Sequence, residues 1–236
     1  MFWSATGLGY NWQWYRIPRH LLSFDQDQPV PGELLLGLFS TLQLSGLSLV
    51  LSLGIGLLVA IFRLSESWVA RQISALYLGV IRNTPLLVQI YLMYFVAGPI
   101  LGLDRFWSAV LALSLFEGAY ISEIFRAGIV SLHRGQWEAA YSLGLSEAAT
   151  YRWVILPQAF VRVLPPLTSE LISLIKNTSL VSLVSLSDLA MEAQIVAADT
   201  FLTFEVWFTT AALYLVITVP LSLLVYSMEK RFRVLS

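Results

Sequence analysis

The chain is 236 residues long, 57% hydrophobic and only 12% charged, with a mean hydropathy of +0.73; that composition excludes an ordinary soluble domain and describes an integral membrane protein. A net charge of −1 without a basic block leaves no basis for a nucleic-acid partner. With no cysteine, disulfides, thiol catalysis and cysteine-bound metals are excluded, and His20 and His133 stand too far apart in sequence to form a ligand pair, so no metal site is expected.

Residues 1–33 form the first segment. They lack the basic start and continuous apolar run of a cleaved signal peptide, and their clustered Trp and Tyr suit a membrane–water boundary, so an interfacial arm is expected outside the membrane. Residues 34–236 then read as one transmembrane domain. Hydropathy predicts an all-α fold with five spans: Leu34–Ile61, Leu86–Leu103, Phe106–Ile129, Val163–Val184 and Phe204–Met228. Small residues on the first span (Gly46, Ser48, Ser52, Gly54, Gly56) predict close helix packing. A further helix is expected ahead of the second span, through "ISALYLGVI", with Thr84 as N-cap and Pro85 in the first turn of the span itself. Pro165-Pro166 mark the start of the fourth.

Lys and Arg set the orientation. Loops 62–85, 126–163 and 229–236 carry ten of the fourteen, whereas the opposite side has Arg16, Arg19 and Arg105. The first group is therefore cytoplasmic, the N-terminus outside and the C-terminus inside.

Between the third and fourth spans lies a polar insert, "RGQWEAAYSLGLSEAATYRWVILPQAF", which cannot sit in lipid. It reads as a short helix ended by Gly144 in a left-handed turn, then a second helix N-capped by Ser146 and stopped by Pro157. Trp137, Ala140, Tyr141 and Leu143 would give the first helix a compact face for another protein's groove. The alternative is a loop packed on its own membrane helices.

Residue identity adds a family. Glu138-Ala139-Ala140, then Gly144, then Leu156-Pro157 with Val154 in place of the usual Ile, resembles the EAA loop of ABC importer permeases. "RNTPLLVQIYL", "GAYISEIFRAGI" and "LIKNTSLVSLV" are similar to segments of the polar amino acid uptake subfamily, which includes histidine, glutamine and arginine permeases. The resemblance runs from about Leu34 to the C-terminus and implies that the insert is a coupling helix seated in a cytoplasmic ATPase. No G-x-x-x-x-G-K-[ST] occurs in this chain, so it cannot cradle nucleotide phosphates in the P-loop manner; the ATPase is expected to be another polypeptide that uses ATP and Mg, with this chain no enzyme by itself and holding no cofactor. The resemblance further implies a second permease subunit, identical or not, two ATP-binding subunits, an extracytoplasmic amino-acid-binding protein and a lipid setting in a bacterial inner membrane. A self-sufficient channel or ion-coupled carrier is the competing function, and a non-transporting scaffold a third.

Polar groups within the spans are the candidate substrate contacts. Glu117 falls near mid-bilayer, where a carboxylate costs at least about 2.5 kcal/mol and needs a partner or a watery cavity. Tyr120 shares its face. Glu123 and Arg126, spaced i, i+3, are expected to pair structurally. Glu170, Ser173 and Asn177 share a face of the fourth span, with Lys176 turned roughly 120° from Glu170. Lys176 would neutralise a substrate carboxylate, or brace Glu170, Glu117 or a partner subunit. Gln89 is a neutral donor and acceptor on the second span, while Thr178 and Ser179 are expected to bond their own helix backbone. Together Glu117, Tyr120, Gln89, Glu170, Lys176 and Asn177 offer donors for an amino-acid carboxylate and acceptors for its ammonium; the same Glu117 would equally serve as an internal brace.

Overall fold

The structure is a computed structural model that describes residues 10–25 and 28–233; the first nine residues of the arm, Gln26, Asp27 and residues 234–236 lie outside it. After a 3-10 turn at Trp14–Arg16, α1 (Pro18–Leu21) leads into an antiparallel hairpin of β1 (Leu22–Asp25) and β2 (Gln28–Pro31), with Leu22 opposite Pro31. The all-helical expectation is corrected here. Pro29 and Pro31 lack the N–H a helix needs but are tolerated on an exposed edge strand. The arm is tied to the membrane helices at two points: His20 Nδ1 lies 3.1 Å from Glu33 Oε2, and the Tyr10 hydroxyl and Gln13 N–H donate to the buried Glu205 carboxylate. That carboxylate holds the Tyr10 phenol proton and raises its pKa.

The bundle is built on α2 (Glu33–Leu64) and α6 (Arg105–Val130). Their approach is possible only because two glycines face it. A Cβ on Gly56 would lie 2.6 Å from Ile121 Cγ2, and one on Gly118 2.8 Å from Ile55 Cγ2. Ser48 and Ser52 are buried with Gly56, as expected, and Ser114 Oγ donates to the Ser48 carbonyl. Gly46 and Gly54 instead face open space, because a helix presents only every third or fourth residue to one neighbour.

α3 (Trp68–Arg82), N-capped by Ser67, forms the expected additional helix. It meets the next one at 104°. That helix comprises α4 (Leu86–Leu92), a π-turn at Met93–Ala97 and α5 (Gly98–Leu101), ending at Gly102 with φ +68°. Pro85, not Thr84, is the N-cap. The Thr84 hydroxyl donates back to the Val80 carbonyl, so the preceding helix claims it. Asp104 caps α6 through Trp107 N at 2.8 Å.

The polar insert folds as α7 (Gly135–Ser142) and α8 (Glu147–Thr150). Gly144 has φ +75°, and the Leu145 N–H to Ala140 carbonyl bond closes the helix end. Ser146 accepts from Ala149 N as expected. Pro157 does not stop the second helix. A π-turn at Tyr151–Ile155 widens the spiral just before it, and α9 (Leu156–Asn177) continues with Pro157 in its first turn, where the missing N–H is tolerated. α9 thus starts before the expected Val163, and Pro165-Pro166 lie inside it. A 3-10 segment, Thr178–Val184, follows directly. Ser185 at φ 57° then breaks the chain into α10 (Leu189–Thr200), bent by 52°, and α11 (Thr203–Arg233) closes the fold.

Among the described residues three helices are long and apolar enough to cross a membrane, Glu33–Leu64, Arg105–Val130 and Thr203–Lys230, and five spans result if each bent pair counts as one. The apolar window of α6 is 61% buried and that of α11 only 11%. α6 is therefore the axis of the bundle and α11 its rim.

Candidate functional site

Glu117 sits in the middle of α6 and is 1% exposed. Asn177, the last residue of α9, donates from Nδ2 to Glu117 Oε1 at 3.0 Å. Oε2 has no partner. Glu170, two turns back on α9, stands beside Glu117. Among the described residues no Lys, Arg or His pairs with either carboxyl. Two neighbouring acidic side chains in an apolar bundle, one of them held by an amide, form a site that favours a cation and offers acceptors to an ammonium.

The other three candidates stand apart from this cluster. Lys176 is exposed and forms no ion pair among the described residues, so the expected brace to Glu170 or Glu117 within the chain is absent. It is turned about 120° around α9 from Glu170, as helical spacing requires. Tyr120 packs on Phe116 with centroids 5.0 Å apart and lies under the Arg82 guanidinium at 5.8 Å. Gln89 Nε2 donates to the Ile81 and Thr84 carbonyls and to the Thr84 hydroxyl, pinning the 104° corner, while its buried Oε1 is without a partner. Thr178 and Ser179 donate to their own backbone, to Ile175 and Lys176 respectively, as expected.

Six residues along α6, Glu123 is the opposite case. Arg126 pairs with it as i, i+3 spacing predicts, at 3.1 Å. Arg63 from α2 and Arg82 from α3 converge on its Oε1 at 2.6 and 3.1 Å. Sequence reasoning missed these last two, although the arginine count that set the orientation had already placed all three at one end of the bundle.

The insert divides its residues between two faces. Trp137 packs inward on the cluster of Leu132, Ile155 and Ala159, and Ala140 is buried, which corrects their expected place on an outer docking face. Gln158 holds Gln136, and Arg162 holds the Ser131 carbonyl, so the knob is fixed to the base of α9. Tyr141 and Leu143 are 48% and 82% exposed, and Ala139 and Glu138 are exposed with them, Glu138 paired to Arg134. Leu156 and Pro157 are exposed on the helix behind.

Comparison with known proteins places this architecture. Residues 52–234 match the family described as binding-protein-dependent transport system inner membrane component. The chain is 39% identical over 198 residues to the glutamine transport system permease protein GlnP of Escherichia coli (strain K12), covering 83% of this chain and 90% of that protein. It is 40% identical over 197 residues to the L-cystine transport system permease protein TcyB of Bacillus subtilis (strain 168), at 83% and 84% coverage. The crystal structure of an amino acid ABC transporter with histidines superposes with a TM-score of 0.78 at 37% identity, over 84% of this chain and 94% of that one. An inward-facing MetNI methionine ABC transporter shares the fold, with a TM-score of 0.67 at 18% identity. Channels and ion-coupled carriers are thereby set aside.

Proposed function

The chain belongs to the inner membrane component family of binding-protein-dependent transport systems, and from that premise we propose that it is the permease subunit of an ATP-binding-cassette importer for polar amino acids. Each bent helix pair makes one span, giving five in a bacterial inner membrane with the C-terminus in the cytoplasm. The convergence of Arg63, Arg82 and Arg126 at one end of the bundle supports that orientation. A second permease subunit completes the path, an external binding protein delivers the amino acid, and two cytoplasmic ATP-binding subunits hydrolyse ATP with Mg.

The single observation that carries this reading is the outer face of α7. Glu138, Ala139, Tyr141 and Leu143 project from a helix whose inner face is anchored on the chain's own α8–α9 base. A short helix anchored on one face and exposed on the other can seat in a groove of another protein and would carry that protein's movement inward. Gly144 sets its exit angle, and Leu156 and Pro157 begin the helix that receives the movement. In the membrane, Glu117 Oε2 and Glu170 hold the substrate ammonium or a cationic side chain, with Asn177 orienting Glu117. Gln89 and Tyr120 border the path from α4 and α6, and Lys176 faces the partner permease or the substrate carboxylate.

Gly144→Val tests the coupling. No atom lies within 4 Å of a Cβ added there, so the variant strains only the left-handed turn, by roughly 1–2 kcal/mol. The complex should still insert and bind its ATPase while substrate-stimulated ATP hydrolysis falls about tenfold. Gly144→Asn, which tolerates that turn, should retain most of it. Normal coupling in the Val variant, or failure of the wild-type chain to co-purify with any ATPase, would sink the proposal.

A further inference from the structure

A second buried polar cluster lies beyond the substrate cluster, where four elements meet. Thr41 comes from α2, Thr178 opens the 3-10 segment, Asp188 caps α10 and Tyr214 comes from α11. Thr41, Thr178 and Asp188 are fully buried. Asp188 Oδ1 accepts from Met191 N at 2.9 Å, but among the described residues Oδ2 has no hydrogen-bond partner. The buried Tyr214 hydroxyl has none either, although Thr41, Thr178 and Asp188 are the polar groups around it.

The remaining hydrogen bonds show what this cluster lacks. The Thr178 hydroxyl proton is committed to the Ile175 carbonyl. Thr41 Oγ1 accepts from Leu189 N at 3.1 Å. Thr178 Oγ1 and Asp188 Oδ2 therefore face inward with lone pairs, and the Thr41 and Tyr214 hydroxyls add two further oxygens that each keep one O–H proton. The charged side chain beside Asp188 is another acid, Glu192, and no Lys, Arg or His pairs with Asp188 among the described residues. A buried carboxylate with surplus oxygen acceptors and no cationic partner calls for a positive ion.

We infer that Asp188, Tyr214, Thr41 and Thr178 form a buried binding site for one monovalent cation, sodium. The donors are all hard oxygens, which disfavours transition metals. One carboxylate with neutral hydroxyls is too little charge for calcium or magnesium, which take several carboxylates or phosphates, and among the described residues no group of three His, Cys, Asp or Glu could hold a metal ion. The ion would join both sides of the 52° bend to α2 and α11, one residue along the chain from Asn177.

The test uses the intact complex with its ATPase subunits, melted in sodium chloride and in choline chloride at equal ionic strength. Sodium should raise Tm by about 3 °C or more and saturate, since a ligand that binds only the folded state stabilises by mass action. Asp188→Asn should abolish the difference. Tyr214→Phe, which keeps the carboxylate and removes one donor, should move the sodium midpoint up about tenfold. If Asp188→Asn does not assemble, the Tyr214→Phe midpoint decides. Equal melting in the two salts, as a bridging water or a proton would give, overturns the site, and so does a sodium midpoint unchanged by Tyr214→Phe.

Discussion

Glu117 and Glu123 are two carboxyls on one helix, six residues apart, and their surroundings are opposites. Glu123 is partly exposed and gathers three guanidiniums from three helices. Glu117 is buried, has one amide for company, and stands beside a second carboxyl. A brace is recognised by matched charge. A site that works on a passing cation is recognised by charge left unmatched where burial is most costly. On the proposed reading, depth and partner count together, rather than residue type, separate a brace from a substrate contact on α6.

Glu117→Gln is the sharpest way to break this comparison. It keeps the shape and the Asn177 hydrogen bond while removing the charge, so uptake should fall about 10- to 100-fold, the loss of a charge-assisted hydrogen bond, with Tm unchanged. An uptake screen over acidic, neutral and basic amino acids would sharpen it further. Loss confined to basic substrates assigns Glu117 to a side chain, and uniform loss assigns it to the shared ammonium. Unchanged uptake of every class by a well-assembled variant would make Glu117 a brace like Glu123.

Glu123→Gln should do the reverse. Three arginines lose their common partner, but all four side chains are partly solvated, so the cost is about 1–2 kcal/mol after screening. The expected signature is a Tm lower by about 3–6 °C and an uptake that follows the amount of folded complex. A wild-type Tm with lost transport would place Glu123 in the path instead. Arg126→Lys should be the mildest change, under about 1 kcal/mol, because Arg63 and Arg82 remain on Glu123; a larger effect would show that Arg126 Nε positions the whole network.

Hydropathy alone located the long helices, since apolar runs of this length have few other uses, and the polar insert announced itself by being unfit for lipid. Local signals also read well: the Ser146 cap, the left-handed Gly144 and the i, i+3 pair of Glu123 and Arg126 all depend on neighbours within one turn. What escaped depends on distance or on irregular backbone. Nothing in the string shows that Arg63 and Arg82 reach Glu123, or that Asn177 meets Glu117 across sixty positions. Pro157 misled because proline normally ends a helix, and a single π-turn before it removes the conflict. Asp188 and Tyr214 gave no pattern at all, because each is ordinary until four elements converge on them.

The π-turn also decides how the molecule works as a machine part. Since α8 runs through it into α9 without a break, the knob and Asn177 are two ends of one connecting rod. The 22 residues of α9 span about 33 Å at roughly 1.5 Å per residue. A continuous helix of that length carries a displacement at its cytoplasmic end along its axis, with Pro165-Pro166 the place where it would bend. On the proposed reading, a tilt of α7 would slide or pivot the amide of Asn177 against α6 and so tighten or loosen its hold on the Glu117 carboxylate.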